Sequence, residues 1–250
     1  MSFSVAVVGA TGRLGAVVTR VVEAMPEAEL VAALGSADRL ESALVADVVV
    51  DVTTPAASEG IVLAALAAGR RVLVGTSGWS AERLARLRDA VGDHEGSGAV
   101  VIPNFSLGSV LGTAFSAIAA RYFDSAEIIE AHHAGKVDSP SGTAVRTAEL
   151  MAAQRGELGP FASPHSDQRA RGEEVGSVQI HSLRLTGVVA RQEVVFGGTG
   201  ETLSITHDTV SSAAYEPGIR AALLAAAATR DEVVVGLGAV LGLDEALGLG

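Results

Sequence analysis

Residues Glu130 to Ala144 combine groups that can donate protons with groups that can bind anions. The stretch is EAHHAGKVDSPSGTA, which contains two adjacent histidines, one lysine and a Ser-Gly-Thr triplet. If a strand ends here, successive side chains point to opposite sides, so one of His132 and His133 can face a cleft while the other is held by the structure. Lys136 follows in a loop that Gly135 makes flexible. With this ammonium nearby, one imidazole can serve as an acid near neutral pH.

The triplet Ser141-Gly142-Thr143 stands at a predicted helix start. Backbone N–H groups at a helix start, together with two hydroxyls, favour an anion such as a carboxylate. An acid beside a carboxylate clamp suits hydride transfer to a polycarboxylate substrate, which needs charge neutralisation and a proton for the carbon next to the one that receives hydride. Taken singly, histidine pairs are often structural and Ser-Gly-Thr is a common helix cap, so the prediction depends on the whole set.

A glycine-rich loop, VAVVGATGRLG, follows the first predicted strand and opens an amphipathic helix. Its Gly-x-x-Gly-x-x-Gly spacing is a variant of the dinucleotide fingerprint, in which glycines let a phosphate approach the backbone. Two further loops, GTSGW and PNFSLG, follow the fourth and fifth predicted strands, and Thr53 and Thr54 end the third. The candidate cofactor-binding residues are Gly9, Ala10, Thr11, Gly12, Arg13, Leu14, Gly15, Gly75, Thr76, Ser77, Pro103, Asn104 and Phe105.

The preference between NADH and NADPH stays open at this stage. An acidic residue at the end of the second strand would bind the ribose 2′-hydroxyl and repel a 2′-phosphate. The predicted strand ends at Leu34 and is followed by Gly35, with no acid directly at its end. Asp38 could serve NAD, whereas Ser36 and Arg39 could serve NADP, and a loop that uses none of them is equally compatible with the pattern.

Strands and helices alternate over the first hundred residues, which predicts a Rossmann-like, doubly wound parallel sheet. A helix over 105–122, a strand over 126–131 and a helix over 142–155 follow, and residues 156–176 resemble a loop. Strand patterns over 175–207 predict a mostly antiparallel sheet. We expect residues 1–105 and 213–250 to form the dinucleotide-binding domain, and residues 106–212 to form an α+β domain for substrate binding and oligomerisation.

Composition narrows the class of partner. The formal charge of −11 argues against nucleic acid or an anionic membrane as a partner, and no apolar run is long enough for a membrane span. The absence of cysteine and of an export signal fits a cytoplasmic protein. We expect no metal site, because adjacent histidines rarely bind one ion and His165, His181 and His207 show no ligand spacing to the pair.

The stretch from Glu130 closely resembles the signature of the dihydrodipicolinate reductase (4-hydroxy-tetrahydrodipicolinate reductase) family, E-x-H-H-x-x-K-x-D-A/S-P-S-G-T-A. The loops VAVVGATGRLG, DVTTP, GTSGW and PNFSLG, and the late FGGTGETLSITHD, are similar to family segments in the same order. The resemblance implies a two-domain homotetramer that uses NADH or NADPH in the diaminopimelate route to lysine. It also implies that His132 donates the proton, that Lys136 is a companion acid or carboxylate binder, and that the substrate carboxylates are held by His133, Ser141, Gly142 and Thr143.

Three positions depart from the family pattern. Gly135 stands where the family usually has histidine or asparagine, Gly35 lies where an acid is often found, and Ser212 replaces an arginine found in many members. Two rival functions remain at this stage. One is another two-domain dehydrogenase acting on an amino acid or sugar, and the other is a non-catalytic nucleotide sensor.

Overall fold

The structure, a computed structural model, describes residues 2–247. Contacts group these residues into two compact units. The first contains residues up to 107 together with 212–242, and the second contains 108–211 together with those from 243 onward. No helix within residues 2–247 is long and apolar enough to cross a bilayer.

In chain order the strands are β1 (Phe3–Val8), β2 (Ala28–Leu34), β3 (Val48–Asp51), β4 (Arg71–Val74), β5 (Gly98–Val101), β6 (Ser125–His133), β7 (Glu173–Val175), β8 (Val178–Leu185), β9 (Ala190–Gly198), β10 (Glu201–Thr209) and β11 (Val233–Val235). The helices are α1 (Arg13–Ala24), α2 (Pro55–Ala67), α3 (Ala81–Gly92), α4 (Leu107–Ala119), α5 (Gly142–Arg155), α6 (Glu216–Ala228), α7 (Leu237–Val240) and α8 (Leu243–Ala246).

The first unit is built on a six-stranded parallel sheet with the order β11-β5-β4-β3-β1-β2. All four residues of β3 and of β5 are buried, as expected for central strands of a parallel sheet that is covered on both faces. The register aligns Val8 with Leu34 and Asp51, and continues to Val74 and Val101. The loops that follow β1 to β5 therefore all leave the sheet at the same end, where the carboxyl ends of the strands lie.

The second unit contains a five-stranded sheet with the order β10-β9-β6-β8-β7. Its core lies on the face that carries Ile128, Ile180 and Phe196, where Ala148 and Met151 of α5 also pack. The opposite face exposes Ile129, Leu183 and Leu185 of β6 and β8. Side chains alternate along a strand, so Glu130 and His132 lie on the same face as Ile128, near the carboxyl end of β6.

The mostly antiparallel sheet expected from residues 175–207 is confirmed, with one parallel pair. β6 lies between β8 and β9, antiparallel to β9 and parallel to β8. The reason is that α5 serves as a crossover from β6, which brings the chain back in the same direction. The expected loop over 156–176 contains β7, a short edge strand whose three residues pair with β8.

Candidate active site

The glycine-rich loop follows β1, at the carboxyl end of the strands of the first sheet. Gly9 has φ of +92°, and a Cβ there would be 2.5 Å from the Val52 carbonyl oxygen. A Cβ on Gly15 would be 2.0 Å from the Gly9 carbonyl oxygen, so only glycine lets α1 start this close to the loop. Gly12, the N-cap, and Arg13 are exposed. The first N–H groups of α1 have no acceptor within the helix, so this end fits a phosphate.

The loop after β3 is held by a buried carboxylate. Asp51 is 1% exposed and accepts hydrogen bonds from the Thr53 N–H and hydroxyl at 3.2 and 2.6 Å. Its second oxygen accepts from the Ser58 hydroxyl, which in turn accepts from the Trp79 indole N–H at 3.1 Å. The Thr76 hydroxyl also accepts from the Thr53 N–H at 2.9 Å. This network joins the loops after β3 and β4.

The remaining predicted cofactor residues lie in the loops after β4 and β5. Phe105 is buried, and a Cβ on Gly75 would be 2.8 Å from its ring, so glycine is needed for that ring to pack there. The Asn104 side-chain oxygen accepts the Ser106 N–H at 2.9 Å, which closes a turn after β5. Ser77 and Pro103 are exposed at the same edge of the sheet. Of this set, Thr76 and Phe105 are the two whose side chains face the interior of the unit.

An acidic side chain lies just past the end of β2. The Asp38 carboxylate accepts the Gly35 N–H at 2.7 Å, which folds the loop back toward the strand end. A Cβ on Gly35 would be 3.1 Å from Thr11 of the glycine-rich loop and 3.7 Å from this carboxylate. Arg39 instead pairs with Glu41 at 3.4 Å, and its side chain is 84% exposed.

In the second unit, His132 contacts a fully buried carboxylate. The Glu130 side chain is 0% exposed, and its Oε2 lies 2.6 Å from Nδ1 of His132. Arg184 of β8 makes a bidentate ion pair with Glu130, with Nη1 3.0 Å from Oε2 and Nη2 2.9 Å from Oε1. Burial raises the pKa of Glu130, but the hydrogen bonds from Arg184 and His132 outweigh it and hold the pKa below its ordinary value. Glu130 is therefore ionised at neutral pH.

Lys136 lies in the loop after β6. Its backbone N–H donates to the His133 carbonyl at 3.0 Å, and its ammonium donates to both carboxylate oxygens of Asp138 at 2.7 Å. The hydrogen bond from Lys136 lowers the pKa of Asp138. Of the three departures from the family pattern, Gly135 lies in this loop, and a Cβ there would only touch the His133 ring at 3.5 Å.

The predicted anion clamp is the start of α5. Ser141 is the N-cap, and its hydroxyl accepts the Ala144 N–H at 3.3 Å while its own N–H donates to Glu130 at 3.2 Å. Gly142 is exposed, Thr143 is half-buried, and nothing lies within 4 Å of a Cβ placed on Gly142. Ser141 thus shapes the helix start, and the N–H groups of Gly142 and Thr143 are those left for an anion.

No role was predicted from the sequence for Glu130, Arg184, Asp51 or Trp79. Glu130 is part of the quoted motif, so its position beside the histidines was a usable signal. Arg184 is 54 residues away in the chain and meets Glu130 only because β6 and β8 are neighbours. Within the described residues, no group of three or more histidine, aspartate or glutamate side chains is arranged to hold a metal ion.

Comparison with known proteins gives consistent results over nearly the whole chain. The family model for the dihydrodipicolinate reductase N-terminus matches residues 3–105, and that for the C-terminus matches residues 108–241. A 4-hydroxy-tetrahydrodipicolinate reductase from Clavibacter michiganensis subsp. michiganensis (strain NCPPB 382) is 57% identical over 244 residues, which are 98% of this chain and 88% of the relative. Its counterpart from Streptomyces griseus subsp. griseus is 48% identical over 221 residues, which are 86% of this chain and 88% of the relative.

Solved structures agree with this relationship. A dipicolinate-bound dihydrodipicolinate reductase from Paenisporosarcina sp. TG-14 superposes with a TM-score of 0.81 at 30% identity, covering 95% of this chain and 98% of that one. GenD2 from gentamicin A biosynthesis, in complex with NAD, has a TM-score of 0.62 at 16% identity, covering 100% and 93%, and shares the fold. The chain belongs to the dihydrodipicolinate reductase family.

Proposed function

We propose that this NAD(P)H-dependent oxidoreductase reduces 4-hydroxy-tetrahydrodipicolinate (dihydrodipicolinate) to tetrahydrodipicolinate, in the diaminopimelate route to lysine. The observation that carries the proposal is the arrangement of the second unit. A histidine held by a buried carboxylate, a lysine, and an open helix start lie within fourteen residues of one another, Glu130 to Thr143, in a chain 57% identical to a reductase of that name.

The glycine-rich loop and its neighbours would hold the nicotinamide cofactor. The glycine at position 12 leaves the start of α1 bare, and the exposed guanidinium of Arg13 can add a charge-assisted bond to the pyrophosphate. When bound, the reduced nicotinamide supplies the hydride. The network centred on Asp51 keeps the loops after β3 and β4 in place, so less ordering is needed when the cofactor binds.

His132 is the proton donor in this proposal. Its Nδ1–H is held by Glu130, so the imidazolium form delivers its Nε2 proton to the substrate carbon next to the one that receives hydride and is left as the neutral Nδ1–H imidazole. The substrate carboxylates are held by the N–H groups of Gly142 and Thr143, with His133 and the Ser141 hydroxyl. Lys136 contributes the nearby positive charge, and Asp138 orients its ammonium.

We infer the finer choice of cofactor from Asp38. A carboxylate at the end of the second strand of such a sheet binds the ribose 2′-hydroxyl and repels a 2′-phosphate. The hydrogen bond from Gly35 places the Asp38 carboxylate there, whereas Arg39 is paired with Glu41. These contacts support NADH as the preferred cofactor.

The assembly and location are also proposals. The resemblance to the family implies a homotetramer, and the exposed Ile129, Leu183 and Leu185 on one face of the second sheet provide apolar surface for contact between copies. A lysine-biosynthetic reductase without cysteine is expected in the cytoplasm. Light scattering would test the tetramer.

The decisive experiment is a coupled assay. The preceding synthase, given aspartate semialdehyde and pyruvate, supplies the substrate, and the loss of NADH or NADPH absorbance reports turnover. We expect turnover with the wild-type chain and a loss of about 10²- to 10⁴-fold for His132→Gln. Lys136→Ala should also raise KM. Normal turnover by both variants would contradict the proposal, and cofactor binding without turnover by the wild type would favour a nucleotide sensor.

A further inference from the structure

The Glu130 carboxylate is the point at which the parts of the candidate active site meet. Its Oε2 contacts Nδ1 of His132 at 2.6 Å, and its Oε1 accepts the N–H of Ser141 at 3.2 Å. The same side chain is fully buried. One carboxylate therefore touches both the proposed proton donor and the first residue of the anion-binding helix start.

Arg184 extends this connection to the loop that carries Lys136. The Nη1 and Nη2 groups of Arg184 each donate to one oxygen of Glu130. Nη2 also donates to the Asp138 carbonyl at 2.6 Å. Asp138 in turn pairs with the Lys136 ammonium. Removing either partner of the Glu130–Arg184 pair thus affects the positions of the acid, the lysine loop and the helix start together.

The charge of Glu130 also determines which tautomer of the His132 imidazole is favoured. An ionised carboxylate can only accept hydrogen bonds, so Nδ1 must be the N–H donor in the 2.6 Å contact. Nε2 is then the nitrogen left for exchange of a proton with substrate. An apolar side chain at position 130 would remove this preference, and an amide, which can donate as well as accept, would no longer enforce it.

We propose that Glu130 and Arg184 are positioning residues, which hold His132 with its Nδ1–H toward Glu130 and set its distance from the start of α5. The expected effect on turnover rests on the proposed reductase activity, whereas the effect on the His132 tautomer does not. Neither residue touches the substrate in this scheme. Their contribution is to keep three separate groups in one fixed geometry, and misplacement by about 1 Å can cost on the order of 10²-fold in rate.

The test compares variants that separate folding from positioning. Glu130→Leu combined with Arg184→Met replaces the buried ion pair with apolar side chains of similar size, an exchange that often leaves stability unchanged or improved. Glu130→Gln keeps the shape and removes the charge. The matched control is Glu127→Gln. Glu127 lies on the same strand, and its carboxylate likewise contacts a histidine and an arginine, His181 and Arg171.

Two measurements are made on each folded variant. Nitrogen-15 NMR of the imidazoles, with His132 assigned through His132→Gln, reports the tautomer, and the coupled assay reports kcat and KM. We expect Nδ1–H at His132 in the wild type and in Glu127→Gln. In the double variant we expect loss of that preference and a kcat lower by roughly 10- to 100-fold, with unchanged melting temperature and NADH affinity.

The outcomes distinguish this inference from the proposed function. A folded double variant with wild-type kcat, or a neutral His132 imidazole in the wild type that carries its only proton on Nε2, would overturn the positioning role. If the double variant does not fold, Glu130→Gln decides by the same two readouts. A wild-type chain without turnover would refute the reductase assignment, and the tautomer measurement would still decide what Glu130 does.

Discussion

Replacing Gly15 by alanine tests whether the close approach of α1 to the loop after β1 creates the cofactor site. The added Cβ would lie 2.0 Å from the Gly9 carbonyl oxygen and 2.8 Å from the Ala10 Cα, and both are backbone atoms that cannot rotate away. To restore an ordinary contact of 3.4 Å, the helix must move from the loop by about 1.4 Å. Overpacking of this kind costs about 1–3 kcal/mol of unfolding free energy.

The same movement should weaken cofactor binding. The helix-start N–H groups that face the pyrophosphate shift with the helix, and each hydrogen bond to a charged group contributes about 1.5–3 kcal/mol. Loss of one such bond lowers NADH affinity by about ten- to a hundredfold. The melting temperature should fall by roughly 2–12 °C, since 1 kcal/mol corresponds to about 2–4 °C for a chain of this size.

The control for this experiment is Gly60→Ala. Gly60 lies within α2, and a Cβ placed there meets nothing within 4 Å. Alanine at that position should stabilise the chain by about 0.5–1 kcal/mol and leave NADH affinity unchanged. Thermal melts and NADH fluorescence titration of both variants give the comparison. If Gly15→Ala kept the wild-type melting temperature and NADH affinity, the proposed reason for glycine at this position would be refuted.

Three other expectations can be checked with single variants. Asp38→Asn should raise the NADPH-to-NADH ratio of kcat/KM in the coupled assay, because it removes the charge that opposes a 2′-phosphate; an unchanged ratio would show that Asp38 does not set the preference. Arg155→Met should lower the unfolding free energy in urea by about 1–3 kcal/mol, because the buried guanidinium donates to the carbonyls of Gly159, Ala120 and Phe123; Arg155→Lys should recover part of the loss. His207 should make stability pH-dependent, because burial lowers its pKa from an ordinary 6.5 despite the opposing charge of Asp208. The folded state binds this proton less well than the unfolded state, so the stabilisation is present above pH 6.5 and is lost as the pH falls toward the lowered pKa. Melting curves of wild type and His207→Gln should therefore diverge in that interval, and parallel curves would contradict this assignment.

The sequence predicted the doubly wound sheet because its signals are local. A serine before a helical pattern is such a local signal, and the Ser80 hydroxyl accepts the Arg83 N–H at 3.3 Å at the start of α3. The short apolar run Val5–Val8, which ends at Gly9, predicted β1, and short apolar segments predicted the strands before the other cofactor loops. The α/β fold class, the family and the reductase activity predicted from the motifs are confirmed by the comparisons.

The parts that could not be predicted depend on contacts between distant residues. The Glu130–Arg184 pair requires β6 and β8 to be parallel neighbours, and the strand pattern of residues 175–207 carries no information about where β6 inserts. The buried carboxylate of Asp51 was missed because an acid in an apolar strand gives no sign of its partners, Ser58 and Thr53. The site residues named from the sequence remain predictions that the proposed variants test.

The first unit is assembled from two separate stretches of chain, and this affects how it can form during synthesis. The edge of β5 is covered by β11, and α6 is seated so closely that a Cβ on Gly218 would be 1.9 Å from the Phe105 carbonyl oxygen. A nascent chain that has reached residue 107 has neither element. Until Val235 leaves the ribosome, the β5 edge presents unpaired N–H and C=O groups to other chains. We therefore expect stalled or C-terminally shortened products to aggregate through β5, whereas the finished chain is protected by its own last strand.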